Sequence, residues 1–509
     1  MSAYAVAVIV AVVAAKLGGF VAANDYELPD LGRVAWIAGW VSAGCIGVLC
    51  VVLRARPRLD VDRTAVAAAV LVWWWFSFDL LFRSWSTGIG RRVVQVALWT
   101  LIAVVAARLA YALARHRVVR DLALAVPACL LVLLTAAVGS YRLGVDDTAR
   151  PDSTVGAVPP LADGAPNIYW IILDEHARAD QLEAFTGTDS AAFTEALTAR
   201  DFEVSTSSWA SYTRTAQSLA STLFADYVFA PGGDVENEYL VGGSALRGEN
   251  PTIERLRAHG YRFVYAPAGT YQWSACTSPP ADRCVDVPGG FDVTDDLGAG
   301  LVDLTPLSQL RLWQVGTMDL PTVAAAAEEE VAAGGPFVLV AHVMSPHWPF
   351  RYDADCGMRP EPVVPAELSG PERAAMYANE VRCLDEAVVD AVDRIVAVDP
   401  NALIVVQSDH GSGLSIDLHA PNAGWGDAAL VERLAVLNAM RLPASCRADD
   451  RYAVDGQPLV NTFRIVLACL EGRDPDLLEL RAFLWPFNDL RGIEELDTAR
   501  LVPESTPDG

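Results

Sequence analysis

The sequence predicts a two-part membrane protein: an N-terminal bundle of five transmembrane helices, then an extracytoplasmic α/β domain whose mostly parallel sheet lies between helices. Three observations lead to this prediction. The long apolar runs are concentrated in the first 140 or so residues, short strand-like runs alternate with helix-like sequence after residue 166, and six of the nine cysteines lie in the hydrophilic part. The predicted boundaries are 1–143 for the membrane bundle, 144–166 for a linker, 167–500 for the α/β domain and 501–509 for a disordered tail.

Five apolar stretches follow one another near the N-terminus. Each is close to the roughly 20 residues that a helix needs to cross the hydrocarbon core of a bilayer. A signal peptide would account for the first stretch only, so the series predicts a helix bundle. The stretches are residues 4–23, 34–53, 64–82, 93–114 and 121–139.

The loops between these stretches predict the orientation of the bundle. The first loop, 24–33, is acidic, whereas the second and the fourth are rich in arginine. Because positively charged loops stay in the cytoplasm, the second and fourth loops are predicted to be cytoplasmic. The third loop disagrees with this orientation, because it would lie outside the cytoplasm and yet contains Arg83, Arg91 and Arg92. Five spans with a cytoplasmic N-terminus place everything after about residue 140 outside the cytoplasm.

Charge divides along the same boundary. The whole chain has a net charge of −25; residues 1–150 hold 15 basic and 9 acidic residues, a net of +6, so residues 151–509 carry −31. A domain this acidic repels the phosphates of nucleic acid, which excludes nucleic acid as a partner. Solubility of an exposed domain is the simpler explanation of the acidity.

Six cysteines lie in the hydrophilic part. An even number in an exported domain predicts three disulfides. Chain order suggests pairing each cysteine with the next, although six cysteines allow fifteen pairings. A structural zinc site is the disfavoured alternative, because no C-x-x-C pair occurs. The suggested pairs are Cys276 with Cys284, Cys356 with Cys383, and Cys446 with Cys469.

Three short apolar runs in the outer domain read as buried strands. They are Ile168–Leu173, Phe337–His342 and Leu403–Gln407, and the helix-like run 372–398 precedes the last of them. Strands that alternate with helices in this way predict a largely parallel sheet covered on both faces. Reactive groups of such sheets collect beyond the carboxyl ends of the strands. Three polar segments lie there: 174–176, 345–347 and 408–410.

Histidines and carboxylates dominate these strand ends. A set of imidazole and carboxylate ligands without thiolates suits zinc or manganese. Any one of these residues alone would more often be structural, but their joint placement predicts a metal site. The histidines concerned are His176, His342, His347, His410 and His419.

Three segments resemble the sulfatase/alkaline-phosphatase superfamily. PNIYWIILDEHARAD is similar to its opening strand and first metal carboxylate, and IVVQSDHG to its second metal motif. SYTRTAQSLASTL resembles the nucleophile segment and leaves Thr215 in the nucleophile position, with Thr213 as the alternative register. A simple helix-capping role for Thr215 is the structural alternative. The cysteine, proline and arginine of the sulfatase pattern are missing, which disfavours sulfate esters as substrates.

A threonine nucleophile, a D-H motif and a five-span anchor together look like lipoteichoic acid synthases and phosphoethanolamine transferases. The resemblance implies one divalent ion bound by Asp174, Thr215, Asp409 and His410. Zinc or manganese is favoured, and magnesium or calcium is also open. A second ion stays open as well, because many relatives have other residues in place of the Glu175-His176 pair.

The same resemblance assigns candidate substrate-binding residues. HVMSPHWPF resembles the histidine segment that faces the transferred phosphate, which implies this role, and proton donation to the departing alcohol, for His347. His419 is similar to a further histidine downstream of the D-H pair. Independently of the resemblance, Arg178 and Arg214 are candidates for binding phosphate oxygens, with surface ion pairs as the favoured alternative.

The resemblance implies metal-dependent transfer or hydrolysis of a phosphate-ester group through a phospho-threonine intermediate. Its expected partners are a membrane lipid as substrate or donor and an envelope glycan or lipid as acceptor, at the plasma membrane of a bacterial-type cell. Two other functions stay open. One is hydrolysis of sulfate or phosphate monoesters, and the other is a non-catalytic membrane scaffold that keeps the fold.

Overall fold

The computed structural model divides into two compact units. One comprises Met1–Asp146 together with Gly290–Val315, and the other Asp147–Gly289 together with Gly316–Gly509. The structure describes residues 1–24, 30–78, 92–144, 158, 161, 166–232, 237–269, 272–276, 281–287, 296–307, 317–363, 368–416, 424–484 and 492–501. Most of the predicted linker and nearly all of the predicted tail lie outside these ranges.

The first unit is built from apolar helices. Among the described residues, four of them are long and apolar enough to cross a membrane: Ala3–Ala23, Leu31–Ala55, Val96–Leu113 within the helix Arg92–Leu113, and Arg117–Leu143 within the helix Arg117–Gly144. A shorter helix, Val61–Trp75, corresponds to the predicted third span. The end of that predicted span, residues 79–82, lies outside the described residues, so five spans stays a prediction.

A further short helix of the first unit, Asp296–Asp303, comes from far along the chain. Leu297 and Leu301 are buried in one apolar cluster with residues of the N-terminal helices. The backbone N–H of Phe78 donates to the carbonyl of Leu304 at 3.0 Å. The hydropathy pattern does not indicate this placement, because the segment is too short to stand out as apolar.

The second unit contains the predicted sheet. Its seven strands are β1 (Ile168–Leu173), β2 (Glu203–Val204), β3 (Arg262–Ala266), β4 (Arg283–Cys284), β5 (Phe337–Val343), β8 (Leu403–Gln407) and β9 (Asn438–Arg441), in the order β2-β9-β8-β1-β5-β3-β4. β1 pairs in parallel with both β5 and β8, and β3 continues the parallel part. β9 and β2 add an antiparallel edge.

Helices cover both faces of this sheet. Side chains of β1 alternate between two apolar clusters: Ile168, Trp170 and Ile172 belong to one, and Tyr169 and Ile171 to the other. The predicted parallel sheet between helices is therefore confirmed. The helices of this unit are Ala179–Thr186, Ala191–Thr198, Thr215–Phe224, Glu238–Leu246, Pro251–Ala258, Leu320–Ala333, Gly370–Val398, Asp427–Leu434, Ala444–Arg447 and Thr462–Glu471.

Among the described residues of the second unit, two hairpins and three disulfides accompany the sheet. The hairpins pair β6 (Phe350–Tyr352) with β7 (Met358–Val363) and β10 (Ala482–Leu484) with β11 (Glu494–Leu496). The disulfides join cysteines in chain order, whereas the three cysteines of the first unit are free. The bonded pairs are Cys276–Cys284, Cys356–Cys383 and Cys446–Cys469.

Candidate active site

Asp174 lies where the parallel strands end. It follows β1 directly, is fully buried, and its backbone N–H donates to the carbonyl of Val343 at the end of β5. The backbone N–H of His347 donates in turn to the carbonyl of Asp174 at 3.0 Å. These main-chain bonds fix the first carboxylate against the segment that follows β5.

The second carboxylate, Asp409, comes two residues after β8. Its Oδ1 atom accepts a hydrogen bond from the backbone N–H of Glu175 at 3.1 Å. Glu175 has a φ of 70°, in the left-handed region that a residue with a side chain seldom adopts. Strained backbone of this kind is concentrated at functional sites, where surrounding contacts hold it. Here it links the Asp174 segment to the Asp409 segment.

A close approach of two main chains explains why the third residue of the D-H-G motif, Gly411, is a glycine. Its N–H donates to the carbonyl of Arg433 at 2.7 Å. A Cβ atom at this position would lie 2.1 Å from the carbonyl oxygen of Glu432 and 2.7 Å from that of Ala435. Only glycine allows so close an approach of two main chains, so this residue sets the path of the segment that carries His410.

Thr215 begins the helix Thr215–Phe224 on the other side of the site. The residue that caps this helix is Arg214, without a side-chain capping bond, so the Thr215 hydroxyl does not serve as the cap. Thr215 Oγ1 instead lies 3.1 Å from Nε2 of His410. Ser218, one turn further along, donates from Oγ to the carbonyl of Asp409 at 2.6 Å. The helix start is thereby fixed directly to the Asp409-His410 pair.

Three buried ligand atoms converge beside this hydroxyl. Asp174 Oδ1 and Asp409 Oδ2 have no hydrogen-bond partner in the part of the chain that the structure describes. Asp174, Asp409 and His410 each present a ligand atom within 4.8 Å of the other two. Nδ1 of His410 faces the carbonyl of Gly411 at 3.2 Å, so Nδ1 carries the proton and Nε2 presents its lone pair.

This donor set fits a divalent metal ion. Buried carboxylate oxygens are rarely left without partners, because desolvation of a charged oxygen is costly. Two carboxylates and one imidazole, with a hydroxyl next to them, match the ligand types of zinc and manganese. The residues that would hold the ion are Asp174, Asp409 and His410, with Thr215 adjacent.

The electrostatics agree with this interpretation. Burial, and next the charge of Asp409, raise the pKa of Asp174 well above its usual range. Burial, and next the charge of Arg433, lower the pKa of His410 well below its usual range. Burial thus makes Asp174 harder to ionise and His410 harder to protonate than the same groups in water. A bound cation would stabilise the ionised carboxylates and so offset the cost of burying them.

His342 is a site residue whose role the sequence did not reveal. Its Nε2 atom lies 3.1 Å from Asp174 Oδ2, and both side chains are fully buried. Burial lowers the pKa of His342 to about 4, so the imidazole is neutral and donates from Nε2 to the carboxylate. His342 thereby orients Asp174 and would leave Oδ1 available to a metal ion, as partners of metal ligands commonly do.

A buried ion pair borders the site on the other side. Arg433 donates from Nη1 to Glu175 Oε1, and its Nη2 lies 3.2 Å from Nε2 of His410. Burial alone would raise the pKa of Glu175, but the charges of His347 and Arg433 outweigh it and lower this pKa. The sequence does not mark Arg433 as a site residue, because an arginine in a short amphipathic helix is common.

His347 and His176 take different positions around the site. His347 is partly exposed, its ring stacks on Trp348 with centroids 5.1 Å apart, and its charge acts on both Asp174 and Glu175. His176 is buried, and its Nε2 lies 2.9 Å from Asp385 Oδ1. Among the described residues, the group that could hold a metal contains neither histidine.

The remaining candidates are the two arginines and His419. Arg178 donates to both carboxylate oxygens of Asp180, and its guanidinium lies 4.4 Å from the ring centroid of Trp209. Arg214 donates to Glu238 at 2.7 Å. Their roles in binding phosphate stay predictions. His419 lies outside the described residues.

The fold and the site together define an α/β protein that gathers carboxylate and imidazole groups at the carboxyl ends of a parallel sheet. The family model described as Sulfatase matches residues 166–430, which is more than half of the chain. The chain therefore belongs to the Sulfatase family, and the predicted resemblance to the superfamily is confirmed. A search among curated proteins finds no match.

Solved structures with a similar fold include three from bacteria. The integral membrane lipooligosaccharide phosphoethanolamine transferase A of Neisseria meningitidis is 14% identical, with a TM-score of 0.46 over 92% of this chain and 96% of that one. The C-terminal periplasmic domain of EcEptC from Escherichia coli, in complex with Zn, is 13% identical, with a TM-score of 0.43 over 64% and 93%. Phosphonate monoester hydrolase of Agrobacterium radiobacter is 14% identical, with a TM-score of 0.40 over 64% and 81%. Likeness at this level does not identify what this chain acts on.

Proposed function

We propose that this protein transfers or hydrolyses a phosphate-ester group of an envelope lipid or glycan, with Thr215 as the nucleophile. The observation that carries the proposal is the 3.1 Å separation of Thr215 Oγ1 from His410 Nε2, beside two buried carboxylate oxygens without partners. A hydroxyl next to carboxylate and imidazole groups that can bind a metal ion has the arrangement that nucleophilic catalysis requires.

Each residue has a defined task in the proposed reaction. Asp174, Asp409 and His410 would hold one divalent ion, which when bound lowers the pKa of the Thr215 hydroxyl and offsets charge on the phosphate oxygens. Thr215 Oγ attacks phosphorus, and its proton passes to water at the partly exposed mouth of the site. The Oγ–P bond forms as the bond from phosphorus to the leaving oxygen breaks, and His347 donates a proton to that oxygen. An acceptor hydroxyl or water then attacks phosphorus as the Oγ–P bond breaks. The proton of the acceptor passes to His347, and the released Thr215 oxygen regains a proton from water.

The membrane helices and the disulfides support an envelope location. Four helices in the part of the chain that the structure describes are long and apolar enough to span a bilayer. Three disulfides lie in the second unit, and such bonds persist outside the reducing cytoplasm. A multi-pass anchor in the plasma membrane with the catalytic unit outside is therefore proposed. The anchor would confine the enzyme to the membrane, which favours a membrane lipid as donor or substrate.

Peptide mass analysis tests the nucleophile. The full chain in detergent, loaded with zinc or manganese, is incubated with a bacterial phospholipid extract and then digested. The proposal expects a phosphate-containing adduct on the peptide that holds Thr215, absent from Thr215→Ala, and its mass identifies the group transferred. An unmodified Thr215 in a chain that turns over phosphodiesters would reject the covalent route.

Two other outcomes would redirect the assignment. Faster turnover of aryl phosphate or aryl sulfate monoesters than of phosphodiesters would favour a monoester hydrolase. Absence of bound metal after purification, together with no effect of added zinc or manganese on unfolding temperature, would favour a non-catalytic scaffold.

A further inference from the structure

Arg433 is a buried cation within the site. It lies in the helix Asp427–Leu434, and its side chain is 6% exposed. Its Nε donates to the carbonyl of Thr213 at 3.0 Å, and its Nη1 donates to Glu175 Oε1 and to the carbonyl of Gly411. Three separate segments thus bind Nε and Nη1 of the guanidinium, so the group cannot rotate freely.

The remaining nitrogen of the guanidinium, Nη2, lies beside His410. Nη2 lies 3.2 Å from His410 Nε2, and Thr215 Oγ1 lies 3.1 Å from the same nitrogen. Nη2 carries two hydrogens. Within the described ranges, the only acceptor recorded for them is the His410 lone pair. If a metal ion takes that lone pair, as the proposed function requires, both hydrogens need a new acceptor.

A phosphoryl group on Thr215 would supply this acceptor. Its non-bridging oxygens are anionic, and a guanidinium bound to one of them forms a charge-assisted hydrogen bond, among the stronger ones in proteins. The two arginines predicted for this task donate elsewhere, Arg178 to Asp180 and Arg214 to Glu238. Arg433 is the arginine that the structure places beside His410.

We propose that Arg433 Nη2 binds a non-bridging oxygen of the phosphoryl group that Thr215 attacks, and that Glu175 holds Arg433 in position. This inference rests on the proposed function and adds an anion-binding residue to it. The ligand chemistry is a tetrahedral phosphate oxyanion, independent of the lipid or glycan that carries it. Glu175 is a positioning residue, since it acts through Arg433.

Binding of inorganic phosphate tests the inference without turnover. Isothermal titration calorimetry measures phosphate affinity of the zinc-loaded full chain, while mass spectrometry of the metal measures zinc per chain. Arg433→Gln keeps amide donors for the neighbouring carbonyls but removes the charge. We expect its phosphate affinity to fall by about tenfold to a hundredfold with zinc content unchanged, because a charged hydrogen bond is lost.

A second variant and a matched control keep the test decisive. Arg433→Lys keeps the charge that faces Glu175 but not the fork, and its phosphate affinity is expected to fall severalfold. Arg255→Gln breaks another arginine–glutamate pair, with the fully buried Glu471, and is expected to leave phosphate affinity unchanged. Should Arg433→Gln not fold, Arg433→Lys alone decides.

Phosphate affinity equal to that of the parent chain in a folded, zinc-loaded Arg433 variant would overturn the inference, and so would an equal loss in Arg255→Gln. The inference and the proposed function fail in different ways. A chain that binds phosphate through Arg433 but never forms a Thr215 adduct rejects the covalent route alone. A Thr215 adduct with phosphate affinity independent of Arg433 rejects the role of Arg433 alone.

Discussion

Thr215 and His410 are 195 positions apart in the sequence, yet Thr215 Oγ1 lies 3.1 Å from His410 Nε2. The contact joins the start of a helix to the carboxyl end of β8, and the bond from Ser218 to the carbonyl of Asp409 stabilises it. Asp409 Oδ2 lies 3.1 Å and Asp174 Oδ1 4.0 Å from the same nitrogen. The hydroxyl and both carboxylates therefore surround one imidazole nitrogen, an arrangement that one shared cation explains.

Removal of the Thr215 hydroxyl is expected to abolish turnover. Thr215→Val keeps the shape of the side chain, so the loss should be confined to chemistry, about a thousandfold or more in kcat. Thr215→Ser should retain part of the activity because it keeps a hydroxyl. Phosphodiester hydrolysis by the metal-loaded full chain measures both variants.

Thr213→Val tests the alternative alignment, in which Thr213 rather than Thr215 is the nucleophile. Thr213 is bound through its carbonyl by Arg433 Nε, a contact that valine preserves. If Thr213→Val removes the covalent adduct while Thr215→Val retains it, the nucleophile is Thr213 and the alignment shifts by two residues.

His342 is expected to tune metal affinity through Asp174. His342→Phe removes the donor to Asp174 Oδ2 and should weaken zinc binding by about tenfold to a hundredfold. His342→Gln keeps an N–H donor and should recover part of the affinity. The control is His259→Phe, which breaks a histidine–carboxylate contact with Glu471 at 3.1 Å. Competition with a fluorescent zinc chelator measures all three, and equal losses in His342→Phe and His259→Phe would contradict a specific role.

The sequence predicted the parts of the site that local pattern determines. Asp174 and Asp409 follow apolar strand runs, and parallel strands bring their carboxyl ends to one edge, so their convergence was expected. The contact of His342 with Asp174 and the presence of Arg433 in the site were not predicted, because the two partners lie 168 and 258 positions away and no local pattern marks such pairs. The association of the helix Asp296–Asp303 with the first unit was not predicted either, since it depends on packing rather than on the hydropathy of that helix.

Thiol counting tests the disulfide pattern. The nine cysteines comprise three free ones, Cys45, Cys50 and Cys129, and six in disulfides. The denatured, non-reduced full chain should therefore react with three equivalents of a maleimide, and with nine after reduction. Five or more equivalents before reduction would show that at least one of the three disulfides is absent. Mutation of Cys446 and Cys469 to serine should lower the free energy of unfolding by about 2–4 kcal/mol.

The low pKa of Glu471 predicts that the folded protein loses stability in acid. Burial alone would raise the pKa of Glu471, but hydrogen bonds from Arg255, Arg473 and His259 outweigh it and lower the pKa from its ordinary value of 4.5 to about 2. As pH falls, the unfolded chain binds this proton first. The stabilisation is therefore complete above pH 4.5 and is lost as pH falls towards 2.

The variant Glu471→Gln tests whether this carboxylate is the cause of the stability loss between pH 4.5 and about 2. The variant should be less stable than the parent chain near neutral pH, and the difference should shrink as pH falls below the ordinary carboxyl pKa. Tryptophan fluorescence during urea unfolding, at a series of pH values in detergent, measures the difference. A stability gap that is the same at neutral and at acid pH would contradict a titrating carboxylate as its cause.

Gly411→Ala should damage the metal site through the backbone. The added Cβ would lie 2.1 Å from the carbonyl oxygen of Glu432, so the D-H-G segment must move, and His410 moves with it. We expect the free energy of unfolding to fall by about 1–3 kcal/mol, as for overpacked cores, and zinc affinity to fall as well. Gly370→Ala is the control, because a Cβ there meets no atom within 4 Å and alanine suits the first turn of the helix Gly370–Val398. Zinc titration and urea unfolding distinguish the two variants, since a Gly411→Ala chain that binds zinc as tightly as the Gly370→Ala chain would show that His410 does not depend on this close approach.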